Sequence, residues 1–148
     1  MFTTQEQKTI NKAIAIIESK MITGEAFTSP EAAKSFCRLQ LGALEQEKFA
    51  ALFLTSQHAL IKFEVLSIGT IDAASVYPRE VVKSALKHNA AAVIFTHNHP
   101  SGLTEPSLAD KRITTRLIEA LSLIDIRVLD HVIVSSAATY SFAENGLL

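Results

Sequence analysis

Residues 95–110 read FTHNHPSGLTEPSLAD. They continue an apolar run, AAAVIFTH at 90–97, whose length and unbroken character predict a central strand buried on both faces. On a strand, residues i and i+2 share a face. His97 and His99 therefore project side by side at the strand's carboxyl end, where open α/β sheets place their sites. The loop 100–106 holds Pro100, Gly102 and Pro106, turn formers that can fold the chain back. Ser107 then starts an amphipathic helix, PSLADKRITTRLIEALSLI, with Ile113, Leu117, Ala120, Leu121 and Ile124 as its buried stripe. Its first turn carries Asp110, which the fold-back would deliver to the histidines. Asp110 also has a purely structural use, closing a capping box with Ser107.

Outward from this unit, IRVLDHVIVS (126–135) is a second strand and TYSFAENGLL (139–148) a last edge strand with a tail. Upstream, YPREVVKSALKHN (77–89) is a helix with Pro78 in its first turn. KFAALFLTS and ALIKFEVLSIG form a hairpin that turns at Gln57–His58. Ser29 and Pro30 open a helix that ends near Gly42. Thr3-x-x-Glu6 is a capping box, and Ile10, Ala13, Ile14 and Ile17 recur at helical spacing, so residues 4–20 form a first helix. The sum is an α/β protein in three layers: a mixed sheet with helices packed on it, plus N-terminal helices. Residues 1–26 make an N-terminal helix and connector, and residues 27–148 the main domain.

With 148 residues the chain can bury a proper core. Fifteen acidic residues nearly balance fourteen basic ones, so no global field advertises a nucleic-acid partner. The single cysteine, Cys37, excludes internal disulfides and cysteine-rich metal sites. MFTTQEQKTI has no apolar signal region, and no apolar run approaches a membrane span. A cytoplasmic protein with no membrane partner is expected.

Two neutral imidazoles and one carboxylate make three protein ligands, which with an open fourth position is the format of a catalytic zinc site. A lone His-x-His is more often a pair of solvated loop histidines. The letters HNH at 97–99 do not indicate an HNH nuclease, whose residues lie far apart in the chain. Asn98 points away from its neighbours and reads as structural. Asp130 and His131 are either a carboxylate orienting a ligand histidine or a strand-start pair making local hydrogen bonds. His58 and His88 are expected to be exposed, and Cys37 to be a small core residue.

The spacing His97-x-His99, seven residues, Ser107, two residues, Asp110 resembles the signature of the JAMM (MPN-domain) metallopeptidase superfamily. HNHPSG, RVLDHVIV and GTIDAASVYPREV look like its RadC-like branch. The resemblance runs from Phe27 to the C-terminus. It implies a cytidine-deaminase-like MPN fold and one zinc held by His97, His99 and Asp110. It also implies an upstream glutamate that handles the proton of the attacking water, and Ser107 as a hydrogen-bond donor to the reacting oxygen. We take that glutamate to be Glu64, in IKFEVLSIG, with Glu80 as the rival. The expected activity is zinc-dependent hydrolysis of an amide or isopeptide bond in a peptide or protein substrate. The alternatives are a RadC-like protein acting on or near nucleic acid in DNA repair, and a non-catalytic scaffold. The helix-hairpin-helix region of full-length relatives would not fit in the 26 residues before the match. A homodimer is a further expectation, and a zinc deaminase is disfavoured because H-x-E and P-C-x-x-C are missing.

Overall fold

The structure, a computed structural model, describes residues 1–22, 27, 29–71 and 76–148. Its elements are helices α1 (Thr4–Ile22) and α2 (Pro30–Leu41), strands β1 (Lys48–Leu54) and β2 (Leu60–Ile68), helix α3 (Pro78–Lys87), strand β3 (Ala92–Asn98), helix α4 (Leu108–Ser122) and strands β4 (Arg127–Val134) and β5 (Thr139–Ser141). α1 runs two residues past its expected end. Most of the expected 21–27 connector lies outside the described residues.

Local chemistry accounts for the helix starts. Glu6 and Thr3 exchange side-chain and backbone bonds at the head of α1. Ser29 accepts from the Ala32 N–H and Pro30 follows it. Ser107 and Asp110 close a full capping box on α4. The hairpin turn falls where expected, with His58 in the left-handed region at φ 64°.

The strands form one sheet in the order β2-β1-β3-β4-β5, antiparallel except for the parallel β3–β4 pair that α4 connects. Every residue of β3 is buried, as its unbroken apolar run demanded. On β2 only Leu60 is buried and the other residues are half-buried or exposed, as on an edge strand. The two faces of the sheet carry separate cores. Ala50, Leu52, Ile94, Val132 and Val134 pack under α2 with Phe36 and Cys37, and Ile14 and Ile17 of α1 lie against this cluster. Phe49, Ala51, Phe53, Val93 and Phe95 pack under α3 and α4 with Val81, Leu117 and Leu121. Burying each of these Val, Leu, Ile and Phe side chains contributes about 1.5–3 kcal/mol. Cys37 is a core residue, and burial pushes its thiol up to about 12. Among the described residues no helix is long and apolar enough to cross a membrane.

The face under α3 and α4 also receives the chemistry. Phe95 and His97 alternate onto it along β3, and α4 enters beside the end of that strand with Asp110 buried in its first turn.

Candidate metal centre

The Nε2 atoms of His97 and His99 lie 2.9 Å apart. Asp110 reaches both: Oδ1 is 3.2 Å from His97 Nε2 and Oδ2 is 3.2 Å from His99 Nε2. His97 and Asp110 are buried, and His99 is half-buried at the rim. Burial pushes the Asp110 carboxyl up, but its bonds to His97 and His99 more than offset this and hold it well below the usual carboxylate range. Asp110 in turn raises the His99 imidazole above its ordinary value.

Both rings are fixed from behind. His99 Nδ1–H donates to the Leu103 carbonyl at 2.7 Å, across the turn that Pro100 and Gly102 shape. His97 Nδ1 lies 2.7 Å from His131 Nε2. His131 Nδ1 lies 2.5 Å from Thr114 Oγ1, and that hydroxyl donates to the Asp110 backbone carbonyl at 2.7 Å. One proton assignment satisfies every member: His97 Nδ1–H to His131, His131 Nδ1–H to Thr114, Thr114 O–H to Asp110. It requires a neutral His131. Burial gives that, pushing the imidazole well below its ordinary value, and the ring is stacked on Phe142 with Phe49 edge-on. The chain leaves the Nε2 lone pairs of His97 and His99 facing each other and the Asp110 carboxylate. Such a convergence of acceptors suits a cation. A tetrahedral metal bonded at about 2.0–2.1 Å has edges of about 3.3 Å, close to the three observed separations.

A fourth group completes the cluster. Glu47, His97, His99 and Asp110 offer ligand atoms that all lie within 4.8 Å of one another. Glu47 is half-buried and immediately precedes β1. Phe49 pairs with His97, and the same register carried two residues further sets Glu47 opposite His99.

Glu64, the upstream glutamate expected at the site, is not brought to this cluster. Glu64 is on the edge strand β2, paired with Ala51 at the level of Phe95, with β1 between it and β3. Its carboxylate is engaged by α3, accepting from Ser84 Oγ at 3.0 Å and bonding His88 Nε2 at 2.7 Å. Burial raises this carboxyl, and the bonds from His88 and Ser84 outweigh it, so it titrates below its ordinary range. His88 is thus a half-buried partner of Glu64, not an exposed residue. Glu80 is exposed on α3, bridged to Lys83. Glu47 is not legible from local spacing, because only strand pairing brings it to the histidines. The available signal was parity, since Glu47 shares the face of Phe49 once β1 lies beside β3.

The remaining candidates fall into place. Ser107 is exposed at the rim. Its Oγ accepts from the Asp110 N–H at 3.0 Å and its N–H donates to Asp110 Oδ2 at 2.8 Å. The cap uses Oγ as an acceptor, and the hydroxyl proton can still donate. Asp130 faces the other layer and pins the C-terminal segment. It accepts from the Ser141 hydroxyl and from the N–H groups of His131 and Ala143. The residue that orients a candidate ligand is His131 itself.

The sequence profile of the RadC-like JAB domain matches residues 27–147. The chain belongs to the RadC-like JAB domain family. It is 56% identical over 143 residues to a UPF0758 protein of Vibrio cholerae, covering 97% of this chain and 90% of that protein. It is 52% identical over 143 residues to the UPF0758 protein YfjY of Escherichia coli, covering 96% and 89%. A UPF0758 protein of Pseudoalteromonas translucida is 61% identical over 122 residues, which is 82% of this chain but 54% of that longer relative. These names state no activity. The mixed sheet with flanking helices is consistent with the JAB/MPN fold, and the Glu-His-His-Asp group is one such a domain could use to hold a metal ion.

Proposed function

We propose that the chain is a zinc-dependent hydrolase that cleaves amide or isopeptide bonds in a peptide or protein substrate. His97, His99 and Asp110 would be the metal ligands, Glu47 the proton carrier and Ser107 an oxyanion donor. The observation that carries this reading is the convergence of two back-bonded imidazoles and a carboxylate, with a second carboxylate beside them. When bound, zinc would supply Lewis-acid activation of water near neutral pH.

The chain's own groups do the rest. His131 and the Leu103 carbonyl keep Nε2 of both histidines turned to the site. Glu47 stands beside the three ligands, and it takes a proton from the attacking water and passes it to the leaving nitrogen. The Ser107 hydroxyl donates to the carbonyl oxygen as it gains charge.

The test is metal analysis of the purified protein, followed by incubation with an internally quenched peptide library, with and without chelator. Single-stranded and duplex DNA serve as the competing substrates. Stoichiometric zinc and chelator-sensitive peptide cleavage are expected. Glu47→Gln should keep zinc and lose about 10²–10⁴-fold in turnover, while Glu64→Gln should cleave like the parent. Zinc retained by a His97/His99 double alanine variant, or cleavage of DNA alone, would refute the reading.

A further inference from the structure

Asn98 stands between the two histidines and faces the other way. It is 1% exposed, and its side chain makes three bonds, all to one segment. Nδ2 donates to the carbonyls of Leu44 (3.2 Å) and Gln46 (3.1 Å), and Oδ1 accepts from the Lys48 N–H at 2.8 Å. Glu47 lies in the segment so gripped, between Gln46 and Lys48. Leu44 packs against the α2-side cluster, whereas Glu47 reaches the group on the α4 side. The chain therefore crosses from one face of the sheet to the other between these two residues. A further bond, Gly69 N–H to the Glu47 carbonyl at 2.8 Å, ties it to the end of β2.

We propose that Asn98 is the positioning residue for Glu47: its amide clamps Leu44–Lys48 so that the Glu47 carboxylate stands beside His97, His99 and Asp110. This rests on the role proposed above for Glu47. The period of two along a strand makes the arrangement economical, since it sends alternate residues to opposite faces. One three-residue run offers two imidazoles to the site and one amide to the loop that brings the acid. The amide is chemically required, because two carbonyls and one N–H must be answered from one side chain. Aspartate has the acceptor but no donor, and serine is too short to span them.

The assignment is tested with zinc alone as probe, by following the Glu47 carboxyl carbon resonance during zinc loading, beside zinc affinity from chelator competition. In the parent the resonance shifts on loading. In Asn98→Ala zinc affinity should hold, because His97 and His99 keep their own supports, while the Glu47 shift is lost. With the peptide library, Asn98→Ala should lower kcat on the order of 10²-fold, as a misplacement of about 1 Å can, with KM unchanged. The same substitution should cost nothing further in a Glu47→Gln background. If the alanine variant does not fold, Asn98→Asp decides by the same resonance, since it keeps the volume and the acceptor and loses both donors. Loss of zinc in a folded variant, a parent-like Glu47 shift, a parent resonance indifferent to zinc, or equal losses in both backgrounds would each overturn the proposal. A parent that cleaves nothing, yet shows a zinc-responsive Glu47 that Asn98→Ala silences, would remove the hydrolase reading and leave the positioning role standing.

Discussion

His131 shows how much of a site can sit one residue behind it. Its ring accepts from His97 and donates to Thr114, and Thr114 closes on the backbone of Asp110, so two candidate ligands share one support. His131→Leu would leave the His97 Nδ1–H unanswered and free the ring to choose the wrong tautomer. Zinc affinity should fall about 10–100-fold, read by chelator competition, with a stability loss of about 1–3 kcal/mol for the orphaned buried donor. A variant with unchanged affinity would show that the ring contact is packing alone. At this scale the sequence was legible where chemistry is local. His97, His99, Ser107 and Asp110 sit within one strand–turn–helix unit, and the turn formers between them, with the resemblance of their spacing to a family signature, pointed to one site. Glu47 was not legible, because its place depends on the pairing of β1 with β3. Glu64, a charge between Phe63 and Val65, is the acid that bonds Ser84 and His88.

Between elements, that same Glu64 fastens the edge strand β2 to α3. Its carboxyl is held below the ordinary range, so the sign is fixed. The contribution is fully present above the ordinary glutamate value of about 4.3 and is lost as pH falls through the lowered one. Glu64→Gln should lower stability by about 1 kcal/mol near neutrality, the usual worth of such bonds discounted for a side chain 32% exposed. The melting temperatures of the two proteins should converge as the pH falls below the ordinary glutamate range. A gap that widened in acid would contradict this account. Gly42 marks another junction. A Cβ there would meet the Arg38 carbonyl at 2.6 Å and the Ser135 carbonyl at 2.9 Å, both backbone. Gly42→Ala should destabilise by about 1–3 kcal/mol in denaturant titration, by overpacking where α2 ends against β4. The elements themselves were legible because their ends are written in side chains: Thr3 with Glu6, Ser29 with Pro30, Ser107 with Asp110. The contact that makes Gly42 necessary was not, since Ser135 approaches it from a distant part of the chain.

Over the whole molecule, the sheet separates two jobs. The face under α3 and α4 holds the group that could bind a metal ion, and the face under α2 holds a core that α1 extends. Class and layering followed from the alternation of strands and helices. The order β2-β1-β3-β4-β5 did not, because apolar runs name strands but not their neighbours. α1 tests the separation. It is mostly polar, and an isolated helix of its length is marginal in water. Ile14 and Ile17 are half-buried against the α2-side cluster and the rest of its surface is largely exposed, so its stability comes from that one stripe. Burying half of two such side chains is worth roughly 1.5–3 kcal/mol. Removing residues 1–22 should lower the melting temperature accordingly and uncover Phe36 and its neighbours to an apolar dye. Zinc affinity should hold, because no support of His97, His99, Asp110 or Glu47 comes from α1. A truncated protein that melts like the parent but binds zinc weakly would show that the two faces are coupled through the sheet.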